Sequence, residues 1–220
     1  EAAKKYSVDA VVVISTDKVY KPTAIPCSIH APLQGMDPYS ASKVAAEAII
    51  SPYCSDLYIS IARAGNALGG GDWGENRLIP DLMRARESHH ILQLRNPNAT
   101  RPWIHVVELV YGYLCMGLYS LSNNPFLICN LGSSEELKVH ELVDFFCHRD
   151  PMLRIQQTEA RFVETMSLRI DCTQTEKDLG WKHRLSKDEM LEWVWEEYMC
   201  IARQGDIRSL MVERFRCLYY

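Results

Sequence analysis

No run of about 18 apolar residues, the length a helix needs to cross a bilayer, occurs in the chain. The longest apolar stretch near the start, Ala10 to Ile14, is too short for the apolar segment of a signal peptide. An excess of basic charge is lacking too, since 24 Lys and Arg stand against 28 Asp and Glu, a formal net charge of -4. Neither nucleic acid nor an anionic membrane would find an electrostatic footprint here. Cysteines are present, but none sits in a C-x-x-C pair. The spacing of Cys27, Cys54, Cys115, Cys129, Cys147, Cys172, Cys200 and Cys217 fits no zinc pattern. Free thiols in a cytoplasmic protein are therefore expected, with no metal site. Cys115, Cys129 and Cys200 lie in apolar periodic contexts, where a reduced thiol acts as a small hydrophobe. The chain also lacks an initial Met, opening on Glu1-Ala2-Ala3-Lys4-Lys5, which reads as the end of a helix cut from something longer. Finally, no glycine-rich dinucleotide fingerprint heads a βαβ unit, and Gly69-Gly70-Gly71 comes too late in the chain to serve as one.

What remains is an ordinary globular balance of 47% hydrophobic and 24% charged residues over 220 positions, enough for one good core or two small ones. Val11 to Ile14 reads as a buried parallel strand. It ends in Ser15-Thr16-Asp17-Lys18, at the strand end that faces the ligand crevice in open α/β sheets. An aperiodic loop runs from Lys21 to Asp37. A helix then opens at Pro38, where the lost N–H costs little, and stops before Pro52. Further strands are predicted at 58–63, 91–94 and 126–131. Helices are predicted at 78–87, 106–121 and 139–148, with a helical turn closed by Gly180. Ser186 and Glu189 spell a capping box for a last long helix, with Met190, Leu191, Trp193, Val194 and Tyr198 toward the core. The alternation argues for an α/β fold, a doubly wound parallel sheet with a smaller α/β lobe. The boundary is placed near Asn66, with residues 1–65 on the sheet side. Residues 66–220 mainly form the lobe, and some of their segments return to the sheet.

Tyr39 and Lys43 lie four residues apart on one face of the predicted helix. A Lys beside a Tyr stabilises the phenolate and makes it a usable base. Alone, this spacing is a weak signal. Its partner is the strand tip some 20 residues earlier, which brings a hydroxyl, a carboxyl and an ammonium group to the same crevice. Ser15-Thr16-Asp17-Lys18-Val19-Tyr20 followed by Asp37-Pro38-Tyr39-Ser40-Ala41-Ser42-Lys43 resembles the extended short-chain dehydrogenase/reductase family, the NAD-dependent epimerases and dehydratases. Four later motifs are similar, in order and spacing, to the CDP-glucose 4,6-dehydratases: Arg63 to Trp73, Asn76 to Asp81, Leu94 to Pro97, and Ala99 to Val106. The Asp17-Lys18 pair supports that branch, because relatives acting on dTDP-glucose carry Asp-Glu there.

The resemblance implies a Rossmann-like fold, a recycled NAD and an internal redox cycle on a nucleotide sugar, a CDP-hexose. Tyr39 would take the 4-hydroxyl proton as hydride leaves C4, and Thr16 would hydrogen-bond the 4-oxygen. Lys18 would be the base at C5, Asp17 would protonate the departing 6-hydroxyl, and hydride would return to C6. Ser15, Tyr39 and Lys43 would contact the cofactor. Asn66, Arg77, Arg95 and Arg101 would hold the diphosphate, which suits guanidinium forks. The glycine run would bring its backbone close to the nucleotide. Trp103 is read as packing and His105 as a satisfied core histidine. A homodimer or homotetramer is implied, with the last long helix as one candidate interface.

Some positions depart from the family pattern. Lys21-Pro22-Thr23 and Gln34-Gly35-Met36 replace usual loop motifs, and Met166 stands where His or Asn is usual. An epimerase or reductase of the same family, or a non-catalytic nucleotide-sugar-binding relative, is the alternative. The family carries its glycine fingerprint ahead of the residues matched here, so these 220 residues are expected to bind NAD weakly or not at all. Calorimetric titration checks this, and micromolar binding would overturn it.

Overall fold

The computed structural model describes residues 1–122, 126–158 and 168–220. The chain divides into two compact units. One comprises Glu1–Asn66, Glu108–Ser134 and Leu168–His183; the other comprises Ala67–Val107, Glu135–Ser167 and Arg184–Tyr220. The first unit opens with helix α1 (Ala2–Lys5), strand β1 (Ala10–Thr16), helix α2 (Pro38–Ile50) and strand β2 (Tyr58–Ala64). Strand β3 (Asn66–Leu68) straddles the boundary. It leads to α3 (Leu78–Glu87), β4 (Ile91–Leu94), β5 (Thr100–Arg101) and β6 (Trp103–His105) of the second unit. Helix α4 (Val106–Ser122) carries the chain back to β7 (Phe126–Leu131) of the first unit. Then come β8 (Leu137–Lys138), α5 (Val139–Arg149) and β9 (Arg154–Gln157) in the second, and α6 (Thr173–Leu179) in the first. Helices α7 (Lys187–Ala202) and α8 (Ile207–Tyr219) close the second unit. Met166 falls outside the described residues.

The expected α/β architecture is the observed one. In the first unit β1, β2 and β7 form a parallel sheet with β2 in the middle. Val13 stands opposite Ile61, and Ile61 opposite Ile128. Parallel pairing of β1 with β2 needs a crossover, and α2 supplies it. From Ile59 onward β2 is buried, so its two polar residues need partners. Ser60 bonds Ser120 of α4, and Arg63 enters a network described below. Among the described residues β1 pairs only with β2, and Val11, Val12 and Val13 are half-buried and Ile14 exposed.

The second unit has its own core, built from α3, α5 and α7 with the strands between them. Leu82, Leu142, Phe146 and Val194 are wholly buried in it. Smaller strand pairs frame this core: β4 with β9 in parallel, and β5 with β8 antiparallel. Helix α7 begins at the expected capping box, in which Ser186 and Glu189 exchange side-chain and backbone bonds. It is not the last helix, however. Asp206 accepts from the Ser209 N–H and starts α8, an Asp-x-x-Ser signal that sequence reading passed over. All eight cysteines are free thiols. No helix among the described residues is long and apolar enough to cross a membrane.

Helix α2 positions the chemistry, and its start is fixed by sequence. Pro38 occupies the first turn, where a missing N–H is tolerated. Asp37 accepts from the Tyr39 and Ser40 N–H groups, and Ser40 Oγ accepts from the Asp37 N–H. These bonds, the Ser40 backbone foremost, hold the Asp37 carboxyl below the usual carboxylate range, and the Lys18 charge adds to them. Asp37→Ala should therefore cost about 1 kcal/mol of stability at neutral pH. A carboxyl with a lowered folded pKa stabilises fully above its unfolded value of about 4 and loses that contribution as pH falls through the folded value. Urea melts of wild type and variant should differ at pH 7 and converge in strong acid.

Candidate active site

The C-terminal end of β1 turns directly into a 3-10 turn, Asp17–Val19. Thr16 makes that turn. Its hydroxyl accepts from the Lys18 N–H at 3.3 Å and donates to Asp17 Oδ1 at 3.1 Å. Thr16 and Asp17 are buried, whereas Lys18 is exposed. Helix α2 reaches the same place from the other side. Lys43 donates from Nζ to the Ile14 carbonyl at 2.9 Å, so its ammonium is held at the tip of β1. Tyr39 is half-exposed, and both Lys18 Nζ and Lys43 Nζ lie 5.9 Å from its ring centroid. Lys18, Tyr39 and Lys43 thus form one cluster, with Thr16 and Asp17 joined to it through the turn.

Ser15 points elsewhere, as alternation along a strand requires. Its hydroxyl donates to the buried Glu47 carboxylate, one helical turn beyond Lys43 on α2. Arg63 of β2 answers Glu47 through Nε and Nη2, the latter at 2.7 Å. Arg63 Nη1 donates to the Tyr20 hydroxyl at 3.1 Å and to the Ile29 carbonyl at 2.9 Å. Tyr20 donates to Asn130 Oδ1 of β7 at 2.6 Å, and Asn130 donates to the Cys27 and Asp171 carbonyls. Burial pushes the Tyr20 phenol up, against the hydrogen bond and charge of Arg63. Sequence reading missed Glu47, Tyr20 and Asn130 and assigned Arg63 no role of its own. The available signal was a Glu on the Tyr39–Lys43 face of α2, opposite an Arg in a strand otherwise fit for burial.

Asn66, at the unit boundary, is half-buried. The three arginines all belong to the second unit. Arg77 is the N-cap of α3, lies exposed and pairs with Asp72 at 2.8 Å. Arg95 is exposed just after β4. Arg101, in β5, is half-buried and bonds the Thr100 carbonyl at 2.8 Å. The preceding glycines have packing reasons of their own. A Cβ on Gly70 would lie 2.4 Å from Glu197 Cβ, one on Gly69 would lie 2.5 Å from Val106 Cγ1, and Gly71 has φ +87°. Gly69-Gly70-Gly71-Asp72-Trp73-Gly74 formally spells Gly-x-Gly-x-x-Gly, but α3 starts only at Leu78 and the Gly70 N–H is committed to Glu197. It is not a pyrophosphate cradle of the dinucleotide type. Trp103 is buried and donates to the Leu137 carbonyl at 3.1 Å, a packing residue as expected. His105 is a satisfied core histidine, also as expected, bonded to Glu197 and to the Val107 N–H.

The donor set of the first unit suits the nicotinamide-ribose end of NAD. Lys43 keeps two N–H donors beyond the one given to Ile14, next to an accessible phenol. Residues 1–194 match the family of GDP-mannose 4,6 dehydratase. The chain belongs to that family. Within it, the chain is 30% identical to the CDP-glucose 4,6-dehydratase of Salmonella typhimurium, over 93% of its own length and 65% of the relative's. A UDP-glucose 4-epimerase of Cyamopsis tetragonoloba is 24% identical over 89% of the chain and 62% of the relative. The chain thus spans somewhat less than two thirds of these curated relatives. Among solved structures, a dTDP-glucose 4,6-dehydratase double mutant from Streptomyces venezuelae with NAD bound superposes with TM-score 0.80. It is 22% identical, over 94% of this chain and 65% of that one. A UDP-glucose 4-epimerase from Stenotrophomonas maltophila with bound NAD gives TM-score 0.81 at 19% identity, over 93% and 67%. The fold is therefore the Rossmann type of the NAD-dependent epimerases and dehydratases.

For this family member the buried Glu47–Arg63 pair should matter more to folding than any exposed ion pair. Glu47→Ala leaves a buried guanidinium unanswered and should cost about 3 to 5 kcal/mol. Glu47→Gln, which keeps a hydrogen-bond acceptor, should cost clearly less. Urea unfolding monitored by circular dichroism measures both, and equal costs would contradict the charge argument.

Proposed function

We propose that the whole protein converts CDP-glucose to CDP-4-keto-6-deoxyglucose, using a resident NAD. The observation that carries this reading is the placing of two ammonium groups, Lys18 and Lys43, at equal distance from the Tyr39 ring. A 4-epimerase needs only a Tyr–Lys couple to move a proton and a hydride at C4. Elimination across C5 and C6 needs a further base and a further acid. Lys18 and Asp17, consecutive on the turn that ends β1, supply one of each. The Salmonella typhimurium relative named for CDP-glucose supports the same choice.

In this mechanism Tyr39 takes the proton of the 4-hydroxyl, and Lys43 holds the nicotinamide ribose and keeps a positive charge beside the phenolic oxygen. The chemistry that bound NAD supplies is reversible hydride acceptance. Thr16 hydrogen-bonds the 4-oxygen. Oxidation at C4 acidifies the C5 proton, which Lys18 removes, while Asp17 protonates the 6-hydroxyl as it leaves as water. To close the cycle Lys18 would give its proton back to C5 as C6 is reduced; C4 stays a ketone, so Tyr39 would release its proton to solvent and Asp17 would take one back from it. Arg77, Arg95 and Arg101, with Asn66, would hold the nucleotide diphosphate.

The test is to incubate the whole protein with CDP-glucose and NAD⁺ and follow the base-labile absorbance of a 4-keto product. Tyr39→Phe should lower kcat by roughly 10²- to 10⁴-fold. Lys18→Met should abolish dehydration while leaving CDP binding intact. Release of a 4-epimer with no keto product would sink the dehydratase reading in favour of the epimerase one.

A further inference from the structure

A run of three glycines is the most mobile backbone a chain can have, so a loop built on one needs external anchors to hold a geometry. Gly69 to Arg77 is held from two helices: Arg84 of α3 donates to the Trp73 carbonyl at 2.8 Å and the Gly74 carbonyl at 3.0 Å, and consecutive residues of α7 hold the segment ahead of these. The Gly70 N–H donates to Glu197, and the Tyr198 hydroxyl donates to the Asp72 carbonyl at 2.8 Å. The Trp73 ring also stands edge-on to Tyr198, centroids 5.6 Å apart. Beyond these anchors the Asp72 carboxylate takes the Gly74 N–H at 3.0 Å and pairs with Arg77. The direction in which Arg77 leaves the loop is thus set through Asp72 from α7 together with the Arg84 bonds from α3. The Arg77 side chain remains 64% exposed, open to a ligand.

Glu197 is itself wholly buried, on a helix face otherwise made of Met190, Leu191 and Val194. A carboxylate in that position must be compensated. Arg214 of α8 does this, bonding Glu197 through Nη1 and Glu196 through Nη2, while Nη1 also reaches the Trp193 carbonyl at 2.6 Å. Its guanidinium lies over the Trp193 ring, 4.8 Å from the centroid. His105 adds a further bond at 3.0 Å. Because its Nδ1 accepts from the Val107 N–H, the ring proton sits on Nε2 and is donated to Glu197. Apolar residues of similar volume would fill this space at less cost, so the ion pair is poorly explained as a device for stability. A directional acceptor aimed at one backbone N–H is something apolar residues cannot provide. Glu197 and Arg214 both lie beyond residue 194, where the family match ends.

We propose that Glu197, clamped by Arg214, is a positioning residue for the glycine end of the Gly69–Arg77 loop, so that α8 contributes to how Arg77 is presented to an anionic ligand. The last clause rests on the nucleotide-sugar reading above; the control of the loop does not.

Amide hydrogen exchange on the 220-residue protein, read by mass spectrometry, tests the proposal together with calorimetric titration of CDP. Arg214→Met should raise exchange at Gly70 to Trp73 by about tenfold or more, with α3 and α5 keeping their protection. It should weaken CDP binding by about tenfold, in the range expected for losing one charge-assisted contact, as Arg77→Met does directly. Gly70→Ala forces the loop and Glu197 apart, since its Cβ would lie 2.4 Å from Glu197 Cβ, and should produce both local effects. If Arg214→Met instead loses protection throughout the unit, Glu197→Gln decides: it keeps the side chain's shape and should still raise exchange at Gly70 by weakening the acceptor. Unchanged exchange at Gly70 to Trp73 in a folded variant overturns the proposal. If the wild type does not bind CDP, the nucleotide reading fails, and the exchange pattern still decides whether Glu197 and Arg214 set the loop.

Discussion

A carboxylate leaves water only in the company of donors and a counter-charge, and the surroundings of Tyr39 depend on one that has done so. Glu47 is buried on the inner face of α2, where an ordinary helix would present Leu or Ile. Ser15 and Arg63 answer it, and Arg63 in turn fixes Tyr20 and, through it, Asn130. Strands β1, β2 and β7 and helix α2 are therefore joined by directional bonds as well as by parallel pairing. An apolar face tolerates small slides and rotations of a helix, whereas a forked guanidinium on a carboxylate does not. Lys43 lies one turn from Glu47, and Tyr39 lies one turn before that. Their placing against the tip of β1 inherits the precision of the ion pair beneath them.

The second unit meets the same constraint in the same way with different parts. Glu197 is a buried carboxylate on an otherwise apolar helix face, answered by Arg214, His105 and a backbone N–H. Burial pushes its carboxyl up, but the His105 bond, the Gly70 N–H and the Arg214 charge outweigh burial and hold it below the usual range. In each unit the buried charge stands next to the element that carries candidate ligand-contacting groups. Both pairs convert a helix position into an exact location for a neighbouring segment, which is what buried ion pairs do better than they stabilise.

Much of this was legible in the sequence, for identifiable reasons. Helices α2 and α3 and strand β4 fall where periodicity, Pro38 and the flanking loops put them, because local signals coincide with tertiary demand. The cluster of Lys18, Tyr39 and Lys43 follows from a strand-end rule and a helical spacing, both short-range geometry. Burial was less legible. Val11 to Ile14 has the composition of a strand paired on both sides, and among the described residues only its β2 side is paired; strand order is not written in any one segment. Glu47 and Glu197 read as solvated helix positions, since a carboxylate is buried only if a distant Arg arrives, and those partners are 16 and 17 residues away across a fold. The glycine run was read toward a ligand, but its first two members are glycines because Glu197 and Val106 leave no room for a Cβ.

The distinction between dehydratase and epimerase turns on the local geometry of the segment that follows β1. Had the strand continued, Asp17 and Lys18 would point to opposite faces of the sheet, and one ligand could not meet both. Thr16 ends the strand by accepting the Lys18 N–H, and the chain enters a 3-10 turn with about three residues per turn. Consecutive side chains are then about 120° apart, so a buried acid and an exposed amine can face one substrate from two sides. On the proposed reading, that is the arrangement an elimination needs: the proton leaves C5 toward one group while the oxygen on C6 receives one from the other. On that reading a threonine at this position would do more than hydrogen-bond a sugar oxygen: by ending the strand where it does, it would make the Asp17-Lys18 pair usable as an acid and a base together.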